Sequence, residues 1–265
     1  MDEEVISLKI TALAENTSCR PDIGCEHGLS LFIETNTHRV LFDTGQSELF
    51  AENAEKLGVD LTKADFAVLS HGHYDHGGGL ARFLELNPTA PVYLNRHAFE
   101  PHYNGTEKYI GLDPALQKSN RLIITDEEYR IADGLTLFAC NGREKTSDFG
   151  SGNLNVLENG KLIAEDFRHE HYLLIEENGR RVLISGCSHK GILNIVEWFR
   201  PDYLIGGFHM MKLDCGDRLR EYAEQLNNYD TEYYTCHCTG EAQYAFLSGI
   251  IRRLHYLSAG QTVEI

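Results

Sequence analysis

The stretch FAVLSHGHYDHGGGLARFL, Phe66 to Leu84, decides how this chain is read. An apolar run, Phe66 to Leu69, leads into His71, His73, Asp75 and His76, and a glycine triplet then opens a run with helical spacing. Short continuous apolar runs read as buried strands and periodic ones as helices. Imidazole and carboxylate side chains gathered at a strand end suit zinc, iron or manganese. Gly72 lets the backbone turn tightly and aim His71 and His73 one way. Asp75 and His76 follow on the same loop and can reach a second ion, so one loop could serve two metals clamping a nucleophilic hydroxide. A solvated His-rich turn is the competing reading. The strand before, the glycines after and the order of ligand types weigh against it.

Three other apolar runs end the same way. Val182 to Ser185 leads into Gly186, Cys187, Ser188 and His189; Tyr203 to Gly207 leads into Phe208 and His209; Tyr233 to Thr235 leads into Cys236, His237 and Cys238. Ligands of α/β proteins collect beyond the carboxyl ends of strands. Four such ends can converge on one site.

The rest of the chain supplies the scaffold. VISLKITALAEN, from Val5, reads as a strand, and Leu29 to Gly45 and His171 to Gly186 read as hairpins. Helical spacing marks Ser47 to Gly58, Gly77 to Asn87, Lys190 to Phe199, Cys215 to Asn228 and Gly240 to Ile251, with Gly58 as a C-cap. A short terminal strand pair is expected after the last helix. Residues 95–120 carry no stable period and read as a long excursion, often functional in a compact domain. Without repeats, low-complexity segments or a polar linker, residues 1–265 are expected to form a single domain. Hairpins opening each half and strand–helix units closing it predict an α/β sandwich: two mixed sheets face to face with helices outside.

Composition narrows the function. Lys plus Arg number 24 against 40 Asp plus Glu, a formal net charge of -16. With no basic cluster, nucleic acid is not an expected partner. No apolar run approaches the ~20 residues of a membrane span, and the acidic start MDEEV lacks the basic region of a secretory signal. Seven cysteines, odd in number and without a CxxC pair, predict free thiols and a cytoplasmic setting.

The order His71-Gly-His73-Tyr-Asp75-His76 matches the HxHxDH signature of the metallo-β-lactamase superfamily, and LFDTG at Leu41 to Gly45 resembles its upstream Asp-Thr-Gly turn. CEHGLSLFIET, LSHGHYDHGGGL, SGCSHKGI, GGFHM and CHCTG together resemble the dihydropterin-methyl ribofuranosyl-aminobenzene phosphate synthase branch. The resemblance extends over most of the chain and implies an αββα sandwich. It also implies one or two divalent ions, zinc first, with iron or manganese as alternatives. His71, His73, Asp75, His76 and His237 would be ligands, with Asp75 also orienting a water and taking its proton. Cys187 stands where the superfamily usually has Asp; either it or His189 would hold metal at that strand end.

His209 and His27 are expected to touch substrate. His169 and His171 are candidates for the lone histidine the superfamily places before this strand, but read better as surface residues. Cys236 and Cys238 read as core thiols, because strand alternation points them away from His237. His38, His97, His102 and His255 read as ordinary surface or packing residues. The expected activity is hydrolysis or group transfer on a phosphoester or diphosphate-bearing small molecule. A metal-dependent sensor on the same fold is the alternative. A nuclease would need a basic groove, and a flavodiiron-type oxidoreductase would carry Glu at position 73 and a flavodoxin domain. Oligomeric state is not legible.

Overall fold

The computed structural model describes residues 8–148 and 150–265. Two seven-stranded sheets form its centre. The first runs, in spatial order, Thr262–Glu264, Lys9–Ala14, Ser30–Glu34, Arg39–Phe42, Phe66–Val68, Val92–Asn95 and Leu122–Thr125. The second runs Leu254–Tyr256, Glu232–Thr235, Tyr203–Gly206, Arg180–Ile184, Tyr172–Glu177, Leu135–Phe138 and Glu128–Ala132. Each sheet is mixed: hairpins pair antiparallel on one side, and crossover strands pair parallel on the other.

Period-2 alternation sorts the strand residues into layers. Leu31, Ile33, Val40, Phe42, Phe66 and Val68 pack across the interior onto Leu137, Leu173, Ile175, Val182 and Ile184. The intervening Phe32, Leu41, Ala67 and Leu69 face outward onto Phe50 and Ala54 of helix Leu49–Leu57 and onto Leu80 and Phe83 of helix Leu80–Leu86. On the other side Leu174, Leu183, Leu204 and Tyr233 meet helices Ile192–Phe199, Asp217–Leu226 and Glu241–Leu247. Both faces of both sheets are covered, giving the αββα sandwich. Burying each large apolar side chain contributes about 1.5–3 kcal/mol. Gly58, at φ 72°, ends its helix as a left-handed cap.

Three readings are corrected or trimmed. Residues 95–120 are not without structure: His102–Asn104 and Lys108–Tyr109 join Leu154–Glu158 and Lys161–Ala164 in a four-stranded sheet. Strands of two to five residues are too short to show a period, and the two small hairpins meet through His102–Asn104 and Leu154–Glu158, about 50 positions apart. The terminal strands Leu254–Tyr256 and Thr262–Glu264 do not pair with each other but close opposite sheets. Between them Ala259 and Gly260 donate to Thr17 O and Ala12 O at 3.0 and 2.8 Å, carrying the chain across. Of the first expected strand, Val5 to Ser7 lie outside the described residues, and Lys9–Ala14 is strand.

Candidate metal centre

Strand Phe66–Val68 delivers the chain into the His71–His76 loop, whose second half is the short helix Tyr74–Gly77. Gly72 is required by space: a Cβ there would lie 2.1 Å from Ala98 O. Gly186 likewise leaves room for a neighbouring strand end, since its Cβ would meet Ser70 Oγ at 2.2 Å. Two ligand-bearing strand ends can therefore touch.

Asp43, of the LFDTG turn, anchors this meeting point. Its carboxylate accepts from Ser70 N and Ser70 Oγ, both at 2.7 Å, and from His76 Nδ1 at 2.6 Å. The Ser70 hydroxyl proton being spent on Asp43, its oxygen accepts from His71 Nδ1 at 2.8 Å. Asn16 Oδ1 accepts from His237 Nδ1 at 2.9 Å. All three imidazoles thus have Nδ1–H engaged, and their Nε2 atoms face inward.

The inward atoms crowd together. His76 Nε2 is 3.1 Å from Cys187 Sγ and 3.2 Å from His237 Nε2. His71 Nε2 is 3.3 Å from His189 Nε2. Asp75 Oδ2 lies 3.3, 3.5 and 4.0 Å from Nε2 of His27, His237 and His76. Burial pushes the Asp75 carboxyl up, but hydrogen bonds from His237 and His27 outweigh it and hold it well below the usual range. For His237, burial lowers the pKa, yet the bond to Asp75 and its charge raise it. A cation entering here would displace that extra proton.

The donor chemistry fits a divalent ion. Two nitrogens bound tetrahedrally at about 2.0–2.1 Å stand roughly 3.3 Å apart, the spacing observed between His71 and His189 and between His76 and His237. Facing lone pairs at that distance repel unless a proton or a cation lies between them. Donor atoms within 4.8 Å of one another group as His71, His73, His189, as His71, His76, Cys187, and as Cys187, His189, His209. The buried Nδ1 atoms of His189 and His209 have no hydrogen-bond partner.

Cys187 and His189 both reach the cluster, Cys187 beside His76 and His189 beside His71. Glu170 makes this possible by accepting from His189 N and Lys190 N at 2.7 and 3.0 Å, while Phe167 stacks on the His189 ring at 4.5 Å. Burial pushes the Cys187 thiol up in the metal-free protein.

Several single-residue readings change. Cys236 is a core residue, as expected, but Cys238 is not directed away. The strand stops at Thr235 and the 3-10 turn His237–Thr239 replaces alternation, so Cys238 groups with Cys187 and His237. His169 and His171 are buried rather than on the surface, because Phe167 to His171 is packed under the first ligand loop. His169 Nδ1 accepts from Gly72 N at 2.9 Å, and His171 Nε2 donates to Leu69 O at 2.6 Å. His102 is buried too, carried inward by the small sheet. It hydrogen-bonds Glu165, which also lies 3.3 Å from His73 Nε2. Burial pushes the Glu165 carboxyl up, but the imidazoles of His102, His169 and His73 around it win and hold it far below the usual range. Glu165 escaped the sequence reading; its only signal was the four-residue spacing to His169. His38 and His97 are half-buried and His255 is exposed, away from the cluster.

A cavity of about 240 Å³ opens over the cluster, with His27, Asp75, His189 and His209 in its wall and the exposed Lys108 and Lys212 in its lining. Lys108 Nζ stands 5.3 Å from the centre of the Tyr74 ring. Among the described residues, no helix is long and apolar enough to cross a membrane.

Comparison with known proteins agrees with this geometry. Residues 23–210 match the metallo-beta-lactamase superfamily model. An uncharacterised protein of Methanocaldococcus jannaschii is 30% identical over 87% of this chain and 90% of its own length. The 7,8-dihydropterin-6-methyl-4-(beta-D-ribofuranosyl)-aminobenzene-5'-phosphate synthase of the same organism is 28% identical over 98% of both chains. The crystal structure of a metal-dependent hydrolase of the β-lactamase superfamily superposes with a TM-score of 0.83 at 30% identity, covering 97% of this chain and 99% of the other. Ligand motif, sandwich and relatives coincide, and the chain belongs to the metallo-β-lactamase superfamily, with its metal-dependent hydrolase fold.

Proposed function

We propose that this protein is a metal-dependent enzyme that hydrolyses or transfers the phosphate-linked group of a phosphoester or diphosphate-bearing small molecule. The observation that carries the reading is the pairing of a convergent His, Asp and Cys cluster with Lys108 and Lys212 lining the cavity above it. In a chain of net charge -16, two cations at one cavity favour an anionic ligand there. The synthase relative, whose named product carries a phosphate, points the same way.

His71, His73 and His189 would hold one ion, and Asp75, His76, Cys187 and His237 the other, with zinc the first choice for a mixed imidazole and thiolate set. Bound divalent ions supply Lewis acidity and water activation at neutral pH. Asp75, held ionised, accepts a hydrogen bond from the incoming nucleophile, orients it and takes its proton. His27, whose Nδ1 accepts from Asn16 Nδ2 at 3.2 Å, keeps Nε2–H toward Asp75 and steadies that carboxylate. Lys108 and Lys212 bind the substrate's phosphate oxygens, and His209, beside His189, contacts the group being transferred. The free thiols support a reducing, cytoplasmic setting, and the acidic surface speaks against nucleic acid as substrate.

The test is to screen metal-reconstituted protein against aryl phosphodiesters, phosphomonoesters, a lactone and a β-lactam. A pterin-methyl diphosphate with an aminobenzene acceptor is the group-transfer arm. Turnover of a phosphate substrate that falls in Lys108→Ala and Lys212→Ala supports the reading. Turnover confined to the lactone or β-lactam overturns the substrate class. Metal retention with no turnover in any arm favours a sensor.

A further inference from the structure

Behind the cavity, three histidines from three stretches of the chain meet around the carboxylate of Glu165. Glu165 follows strand Lys161–Ala164; His102 opens a strand of the same small sheet; His73 and His169 come from the two main sheets' connections. All are buried, at 0–6% exposure. Their donor atoms lie within 4.8 Å of one another, which raises the question of whether they hold an ion of their own.

Proton bookkeeping argues against that. Gly72 N–H points at His169 Nδ1 at 2.9 Å, so the Nδ1 lone pair is taken and the proton of a neutral ring must sit on Nε2. That Nε2–H faces Glu165 Oε2 at 3.7 Å, beyond hydrogen-bond distance, and neither atom has a hydrogen-bond partner. His102 turns Nδ1 to Glu165 Oε1 in a hydrogen bond, leaving its Nε2 without a partner. His73 turns Nε2 to the same carboxylate, 3.3 Å away. Three imidazole N–H groups therefore converge on one anion. An ionised carboxylate at this depth is strongly disfavoured unless donors face it; His102 and His73 both donate to Oε1, and the His169 ring stands opposite Oε2.

We infer that Glu165 is a positioning residue for His73, held in place by His102 and His169. With Nε2–H donated to Glu165, His73 has one lone pair left, on Nδ1. Nδ1 is then the atom left for the group His73 forms with His71 and His189. The carboxylate fixes the tautomer and ring orientation of His73 and makes its Nδ1 a stronger donor. This inference rests on the metal reading above, and its test separates the two.

Zinc-loaded parent protein, labelled with ¹⁵N in histidine, reports the His73 tautomer by long-range proton–nitrogen correlation. A protonated Nε2 and a metal-shifted Nδ1 are expected; the reverse overturns the inference. Glu165→Gln keeps the shape but removes the charge and should weaken one of the bound ions about 10–100-fold, the usual effect of losing such a partner, in chelator competition. The other ion, grouped with His76 and His237, should be unaffected. Should Glu165→Gln fail to fold, His102→Gln, which can still donate to the carboxylate, is expected to retain both ions and the His73 tautomer. Equal affinities in Glu165→Gln and parent, or an additional equivalent of metal lost on Glu165→Gln and His102→Gln alike, overturn the positioning role. A parent that takes up no ion at all overturns the metal reading and this inference with it.

Discussion

Asp43 Oδ2 accepts the Nδ1–H of His76 at 2.6 Å, and both side chains are fully buried. One contact joins the LFDTG turn to the HxHxDH loop, 33 positions apart. It makes Nε2 the only nitrogen His76 can offer to Cys187 and His237. Asp43 sits at φ 60°, a left-handed conformation that Asp and Asn tolerate better than other side chains.

Asp43→Asn is therefore expected to keep the backbone but loosen the His76 ring. The affinity of the ion grouped with His76 and His237 should fall about 10–100-fold, read by competition with a chromophoric chelator. An unchanged affinity would remove Asp43 from the support of the site.

Asp75→Asn should lower turnover by roughly 10²-fold or more, the scale of a lost acid–base group, once a substrate is in hand. Circular dichroism should match the parent, since among the described residues the Asp75 side chain, 13% exposed, pairs with His27, His237 and His76 at the edge of the cavity and not with the core. Parent-like turnover would reassign the proton transfer.

Cys187 and His189 should act on different ions. Cys187→Ser removes a sulfur 3.1 Å from His76 Nε2, and His189→Ala removes a nitrogen 3.3 Å from His71 Nε2. Each variant is expected to lose one equivalent of metal, and the double variant both, by elemental analysis of dialysed protein. Full retention in both single variants would take this strand end out of the metal site.

His171 carries a pH term in stability. Burial drives its pKa from 6.5 down to about 4, only partly offset by its bond to Leu69 O. Between those values the unfolded chain binds a proton that the folded chain refuses, so stability falls as pH drops through this window and levels off below it. The full span is about 3 kcal/mol. In chelated protein, the stability gap between parent and His171→Gln should shift by that order between neutral pH and about pH 4, in denaturant titrations. A gap independent of pH would contradict the assignment.

The sandwich was legible because its signals are local. Phe66 to Leu69, Val182 to Ser185, Tyr203 to Gly207 and Tyr233 to Thr235 are apolar runs bounded by glycine or ligand residues, and helices such as Leu49–Leu57 show their period and their Gly58 cap. The short strands at His102–Asn104 and Lys108–Tyr109 were not, since two or three residues show no alternation and the strand that ties their hairpin down lies near residue 155.

The same division runs through the site. Residue order alone named His71, His73, Asp75, His76, Cys187, His189 and His237, because each sits within a few positions of a strand end. Tertiary structure alone decided what each faces: which nitrogen of His71 and His76 turns inward, that Cys187 and His189 both reach the cluster, and that Cys238 leaves strand alternation at Thr235. It alone buried His102, Glu165 and His169 together. Hydrophobic patterning marks apolar residues for the interior. A polar residue is buried only when distant partners satisfy its hydrogen bonds, and those partners exist only once the chain has folded.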